Sequence, residues 1–150
     1  MATHYMSDLF GNHILQASAL AWAIAQISKF FIDLFWRRKI NFRALTTMGG
    51  MPSSHSAAVS SLATGIALVD GMGSSIFALA LWFAAVTMYD AAGIRRSAMI
   101  QAKILNQMID ELFQGHPISD VKLRELLGHT PIEVFVGMCL GIAVAYWWMT

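Results

Sequence analysis

The run Ser74–Ala92, SSIFALALWFAAVTMYDAA, meets no charged side chain until Asp90. A bilayer core about 30 Å thick takes roughly 20 predominantly apolar residues in helix, so this run has the length and composition of a membrane crossing. Three other stretches read the same way. Ile14–Trp36 is broken only by Lys29 and Asp33 near its end, Pro52–Val69 is rich in small and hydroxylic residues, and Pro131–Met149 carries one acid, Glu133. The composition agrees, with 57% of the 150 residues hydrophobic and 13% charged, against about 25% charged in ordinary soluble domains. A soluble domain of this length could not bury so much apolar surface. The sequence therefore predicts an all-α fold, an integral membrane helical bundle of one domain over residues 1–150, with about four transmembrane helices plus an amphipathic helical connection.

Sidedness follows from the cations, because short loops rich in Lys and Arg stay cytoplasmic. Arg37, Arg38, Lys39 and Arg43 follow the first span, and Arg95, Arg96, Lys103, Lys122 and Arg124 follow the third. The turn Asp70-Gly71-Met72-Gly73 between the second and third spans has none, nor does the tail after the fourth. Both termini are expected outside, with the two basic connections inside. No Lys or Arg precedes Lys29 and no small-residue cleavage pattern follows a short apolar core, so the first helix is expected to stay in the mature protein. The long inner connection has structure of its own. Leu105, Met108, Ile109 and Leu112 recur at helical spacing, with Lys103, Asn106, Gln107 and Asp110 opposite, which describes a helix for the membrane interface or for a partner. Gly115, His116 and Pro117 end it, and a short helix is expected from Ser119 to Gly128. A net charge of +1 offers no basic face for nucleic acid. The lone Cys139 cannot form an internal bridge.

Ionisable groups near membrane depth are costly, and each asks for a reason. In this topology Lys29 and Asp33, then Ser53, Ser54 and His55, then Asp90 with Arg95 and Arg96, and finally His129 with Glu133 all fall at the inner ends of their spans. Segments far apart in sequence thus place polar residues on one membrane face, which marks a candidate site. The second and fourth spans both begin there, each with proline at or near its first turn, and helix N-termini present free N–H groups and positive dipole. With several arginines they describe an anion site, phosphate being the natural ligand. Two histidines beside it suit nucleophilic and acid–base roles near neutral pH. Glu133, one turn from His129, could fix the tautomer of its ring. There is no Cys/His cluster at zinc spacing and no Walker loop, so no metal and no nucleotide is expected.

At these residues the sequence resembles a known family. Gly49-Gly50-Met51-Pro52-Ser53-Ser54-His55-Ser56, then Met88-Tyr89-Asp90-Ala91-Ala92-Gly93-Ile94-Arg95-Arg96, then Leu123-Arg124-Glu125-Leu126-Leu127-Gly128-His129-Thr130-Pro131-Ile132-Glu133 look like the divergent PAP2 family. This is a branch related to type 2 phosphatidic acid phosphatases and vanadium haloperoxidases, and the likeness runs from about Ile14 onward. It implies a cofactor-free, metal-independent phosphohydrolase acting on a phosphate or diphosphate ester, with a membrane lipid phosphate as substrate. It also implies roles. His129 would attack phosphorus, Glu133 would orient it, and His55 would protonate the leaving oxygen, while Arg124, Ser53 and Ser54 would hold phosphate oxygens. Arg95 and Arg96 would stand in for the cations of a first motif that this chain does not match, with Asp90 and Lys29 in support. The chain departs from the wider superfamily where Leu123 precedes Arg124, four residues separate Arg124 from His129, Glu133 replaces aspartate and Ser54 replaces glycine.

Most of these residues also admit a plainer reading. Thr130-Pro131-Ile132-Glu133 reads as a capping box, His55 as a packing histidine among hydroxyls, and Ser53 as a helix cap. Arg37, Arg38 and Lys39 serve topology, Asp90 could simply pair with Arg95 or Arg96, and Lys29 and Asp33, one turn apart, could neutralise each other. Ala57, Ser61 and Gly65, and Gly137 with Gly141, are small-xxx-small patterns that close helix packing explains; such faces also make a homodimer an expectation. The alternative function is a non-catalytic membrane protein that binds phosphate or an anionic head group, in transport or assembly.

Overall fold

The computed structural model describes residues 7–37, 50–112 and 129–150, and within these ranges not the side chains of residues 33, 35–37, 94–99 and 110–112. Every element of the described residues is a helix. After a short helical turn over residues 7–10 come α1 (His13–Arg37), α2 (Ser54–Asp70), α3 (Ser75–Ala92), α4 (Ile94–Leu112) and α5 (Pro131–Met149). The basic connection of Arg38, Lys39 and Arg43, the short helix expected from Ser119 to Gly128, and Arg124 lie outside the described residues.

Local chemistry sets the ends of these helices. Ser53 caps α2 by accepting the Ser56 N–H at 3.4 Å, and Gly71, at φ 81, closes it in a conformation that L side chains rarely adopt. Ser74 starts α3, its Oγ accepting the Phe77 N–H at 3.2 Å and donating to the Gly71 carbonyl at 2.9 Å. Two tight caps thus turn the chain between α2 and α3.

Three helices, over His13–Ile32, Ser75–Ala92 and Pro131–Met149, are long and apolar enough to cross a membrane. The second expected span is the exception. At 17 residues, α2 covers about 25 Å at 1.5 Å per residue, and four of those residues are serine. Its position accounts for its composition. α2 is the central helix and packs against α1, α3 and α5, whereas α1 and α3 do not touch and α4 touches only α3 among the described helices. A helix shielded by its neighbours need not be lipid-compatible on every side.

Small side chains pack inside and large ones face out. Ala21 and Ala25 of α1 meet Ala57 of α2 and Val144 of α5 in one cluster, and Val59, Ala63 and Ile66 of α2 meet Ala80 and Ala84 of α3 in another. Trp82 is 72% exposed and Trp147 70%. Lipid tails are as apolar as leucine, so helices gain by close backbone approach rather than by hiding bulk. The tightest approach is between α2 and α5. A Cβ on Gly137 would run into the Ser53 carbonyl oxygen, and one on Gly141 into the Ala57 carbonyl oxygen and Ser60 Oγ. Ser60 Oγ bridges the same pair, lying 2.6 Å from the Ser56 carbonyl and 3.2 Å from that of Met138.

Candidate functional site

The close α2–α5 crossing brings their N-terminal ends together. The Ser53 N–H donates to the Glu133 carbonyl at 3.0 Å, so the first turns of α2 and α5 are joined directly. The His129 N–H donates to the Ala91 carbonyl at 3.4 Å, which draws the end of α3, with half-buried Asp90 beside it, to the same place. From α1, the Lys29 Nζ donates to Ser54 Oγ at 3.2 Å. Four segments far apart in sequence therefore meet at one end of the bundle.

Glu133 is the hub of this end. Its Oε2 accepts the Thr130 N–H at 3.0 Å, while its own N–H donates to Thr130 Oγ1 at 3.3 Å, completing a capping box with Pro131 in the first turn. The same oxygen lies 3.1 Å from His129 Nδ1. A carboxylate can only accept here, so Nδ1 carries the proton, and in the neutral ring Nε2 holds the lone pair. The box and the histidine contact are thus not alternatives, since one oxygen makes both.

The two histidines face one another. His55, half-buried in the first turn of α2, and His129, 2% exposed, have ring centroids 6.3 Å apart with planes at 64°. Two imidazoles at that distance can both contact one small ligand. Ser53 is buried; its Oγ accepts from the Ser56 N–H and from Ser56 Oγ at 3.0 Å, which is the cap. Ser54 is also buried, and its hydroxyl is held by Lys29.

Lys29, 5% exposed, also donates to Gln26 Oε1 at 2.8 Å, and the Glu133 carboxylate acts on it electrostatically. It is thus drawn toward the site by hydroxyl and amide partners; the Asp33 side chain lies outside the description. Gln26 is a member of this end that the sequence reading did not single out. An amide three residues before a lysine, inside an otherwise apolar run, was the available signal. The backbones of Arg95 and Arg96 lie in the first turn of α4, one residue beyond the close of α3, and their side chains are outside the description. Arg124 is outside the described residues altogether. No group of three or more His, Cys, Asp or Glu side chains gathers in metal-ligating fashion among the described residues.

Comparison with known proteins adds a family. The model of the divergent PAP2 family matches residues 10–144. A relative from Bacillus subtilis (strain 168), the uncharacterized membrane protein YuiD, is 41% identical over 157 aligned positions that cover 95% of this chain and 99% of the relative. No solved structure matches the chain significantly.

Proposed function

The chain belongs to the divergent PAP2 family, and from that premise we propose that it hydrolyses a phosphate or diphosphate ester through a phosphohistidine on His129. The single observation that carries this reading is Glu133 Oε2 at 3.1 Å from His129 Nδ1, opposite a second histidine whose ring centroid is 6.3 Å away. That is the arrangement of a nucleophile with its orienting acid and a proton donor.

The chemistry runs in two displacements. His129 Nε2 attacks phosphorus, forming an N–P bond as the ester P–O bond breaks, and His55 gives its proton to the departing oxygen. Water then attacks the phosphohistidine with His55 taking its proton, the N–P bond breaks, and phosphate leaves with His129 restored. Phosphoryl transfer asks chiefly for positioning and for positive charge around the equatorial oxygens. The buried Lys29 ammonium and the positive end of the α2 dipole would supply it, joined by Arg124, Arg95 and Arg96. A site at one end of a membrane bundle suits a substrate whose phosphate sits at the bilayer surface, hence a lipid phosphate. The cation distribution supports a cytoplasmic position for that end, with both termini outside.

The test is phosphate release by the purified protein in detergent over a panel of lipid phosphates, with a chelator present. Turnover by the unaltered chain and its loss in His129→Ala is the expected result. Turnover that survives His129→Ala overturns the mechanism, and phosphate binding without turnover in either form favours the non-catalytic binder.

A further inference from the structure

α4 leaves α3 through one residue, Gly93, whose N–H still donates to the Tyr89 carbonyl at 2.8 Å. On α3, a helix apolar enough to cross the membrane, Leu79, Trp82, Phe83, Val86 and Tyr89 are exposed, and such a surface meets lipid. α4 has a different pattern. Ile100, Ile104 and Met108, spaced by one turn, share a face with Leu105 and are 48%, 50%, 51% and 48% exposed in that order. Exposed Lys103 and buried Asn106 lie on the other side. A helix with one charged or polar face and one apolar face is too polar to span and too apolar to stand in water, and it settles in the plane of the interface. Among the described helices only α3 touches it, so its apolar face is covered by none of the others.

We propose that α4 lies in the membrane–water interface at the end of the bundle that holds the two histidines, with its Ile100–Ile104–Leu105–Met108 face inserted among the acyl chains. The occupant is the bilayer that α3 crosses, because α3, with its exposed apolar surface, leads into α4 through a single residue. Apolar insertion drives the contact, and its 19 residues would lay about 28 Å of helix along the surface. The inference rests on the membrane reading and not on the phosphatase reading, so either can fail alone.

The test uses the whole chain in phosphatidylcholine vesicles, with Cys139→Ser removing the native thiol and an environment-sensitive fluorophore attached in either Ile104→Cys or Lys103→Cys. The label at position 104 is expected to emit further to the blue and to be quenched by lipids carrying a nitroxide near the head group. The label at position 103 is expected to emit as in water, and neither result should change at high salt. A label at 104 as wet as that at 103 overturns the proposal. So does a label at 104 that is shielded yet untouched by the nitroxide lipids, which assigns the face to residues 113–128 or to a second copy of the chain. Should the cysteine variants fail to fold, the unsubstituted chain gives a second readout through carbene insertion from a lipid carrying a diazirine near its glycerol. Adducts on residues 100–108 support the placement, and adducts confined to α1, α3 and α5 contradict it.

Discussion

Glu133 Oε2 accepts the Thr130 N–H at 3.0 Å and lies 3.1 Å from His129 Nδ1, so capping and histidine orientation share one atom and separate only by substitution. Glu133→Gln keeps an oxygen for the cap, since glutamine serves equally in a capping box, but removes the negative charge that stabilises an imidazolium or holds its tautomer. Turnover should fall by about 10²- to 10⁴-fold while the melting temperature in detergent changes little. Thr130→Val does the reverse. It removes the cap hydroxyl, costs about 1 kcal/mol of stability, and keeps most of the activity because the Thr130 N–H and the Glu133 carboxylate remain. Equal losses of activity in both variants would reduce Glu133 to a cap. At this scale the sequence showed both readings of Thr130–Glu133, because caps and i,i+4 contacts are local. It could not show Lys29 against Ser54, a contact 25 residues apart that exists only once α1 and α2 are packed.

The helices were legible to within a residue or two where caps or charges mark their ends. α5 runs over Pro131–Met149 as read, and α1 extends one residue beyond each end of the expected Ile14–Trp36. α2 was harder to place, because hydropathy reports what faces lipid and α2 faces mainly other helices. Its small residues carry a different message, the closeness of α5. Gly137→Ala and Gly141→Ala should each destabilise the bundle by about 1–3 kcal/mol, the usual cost of overpacking, read as a lower melting temperature in detergent. Gly73→Ala, where nothing lies within 4 Å of an added Cβ, serves as the control and should be near neutral. The Ser53–Glu133 backbone bond lies at the same crossing, so the alanine at position 137 should lower turnover as well. If it leaves activity intact, the α2–α5 approach does not set the site's geometry.

At the scale of the whole bundle, and among the described residues, charged groups from three helices meet at one end. The Glu133 charge acts on Lys29, Asp90 adjoins the Ala91 whose carbonyl takes the His129 N–H, and the exposed surfaces of α3 and α5 carry tryptophan and phenylalanine. That convergence was legible from where polar residues interrupt apolar runs, since a membrane leaves few reasons for an ionisable group. Sidedness is the part that packing alone does not encode, and the cations predict it. A reporter fused after Thr150 should be active outside the cytoplasm, and a cytoplasmic signal would invert the bundle and put the site on the outer face. The claim on which the functional account depends is a covalent bond to His129, and acid-sensitive phosphate capture tests it most directly. The chain is mixed with a substrate labelled in its phosphate, quenched in alkali within the turnover time, and digested for peptide mapping. The account predicts label on the peptide bearing His129, stable to alkali and lost in acid, absent from His129→Ala and prolonged in His55→Ala. Turnover without any labelled peptide, or label that persists in His129→Ala, would contradict it.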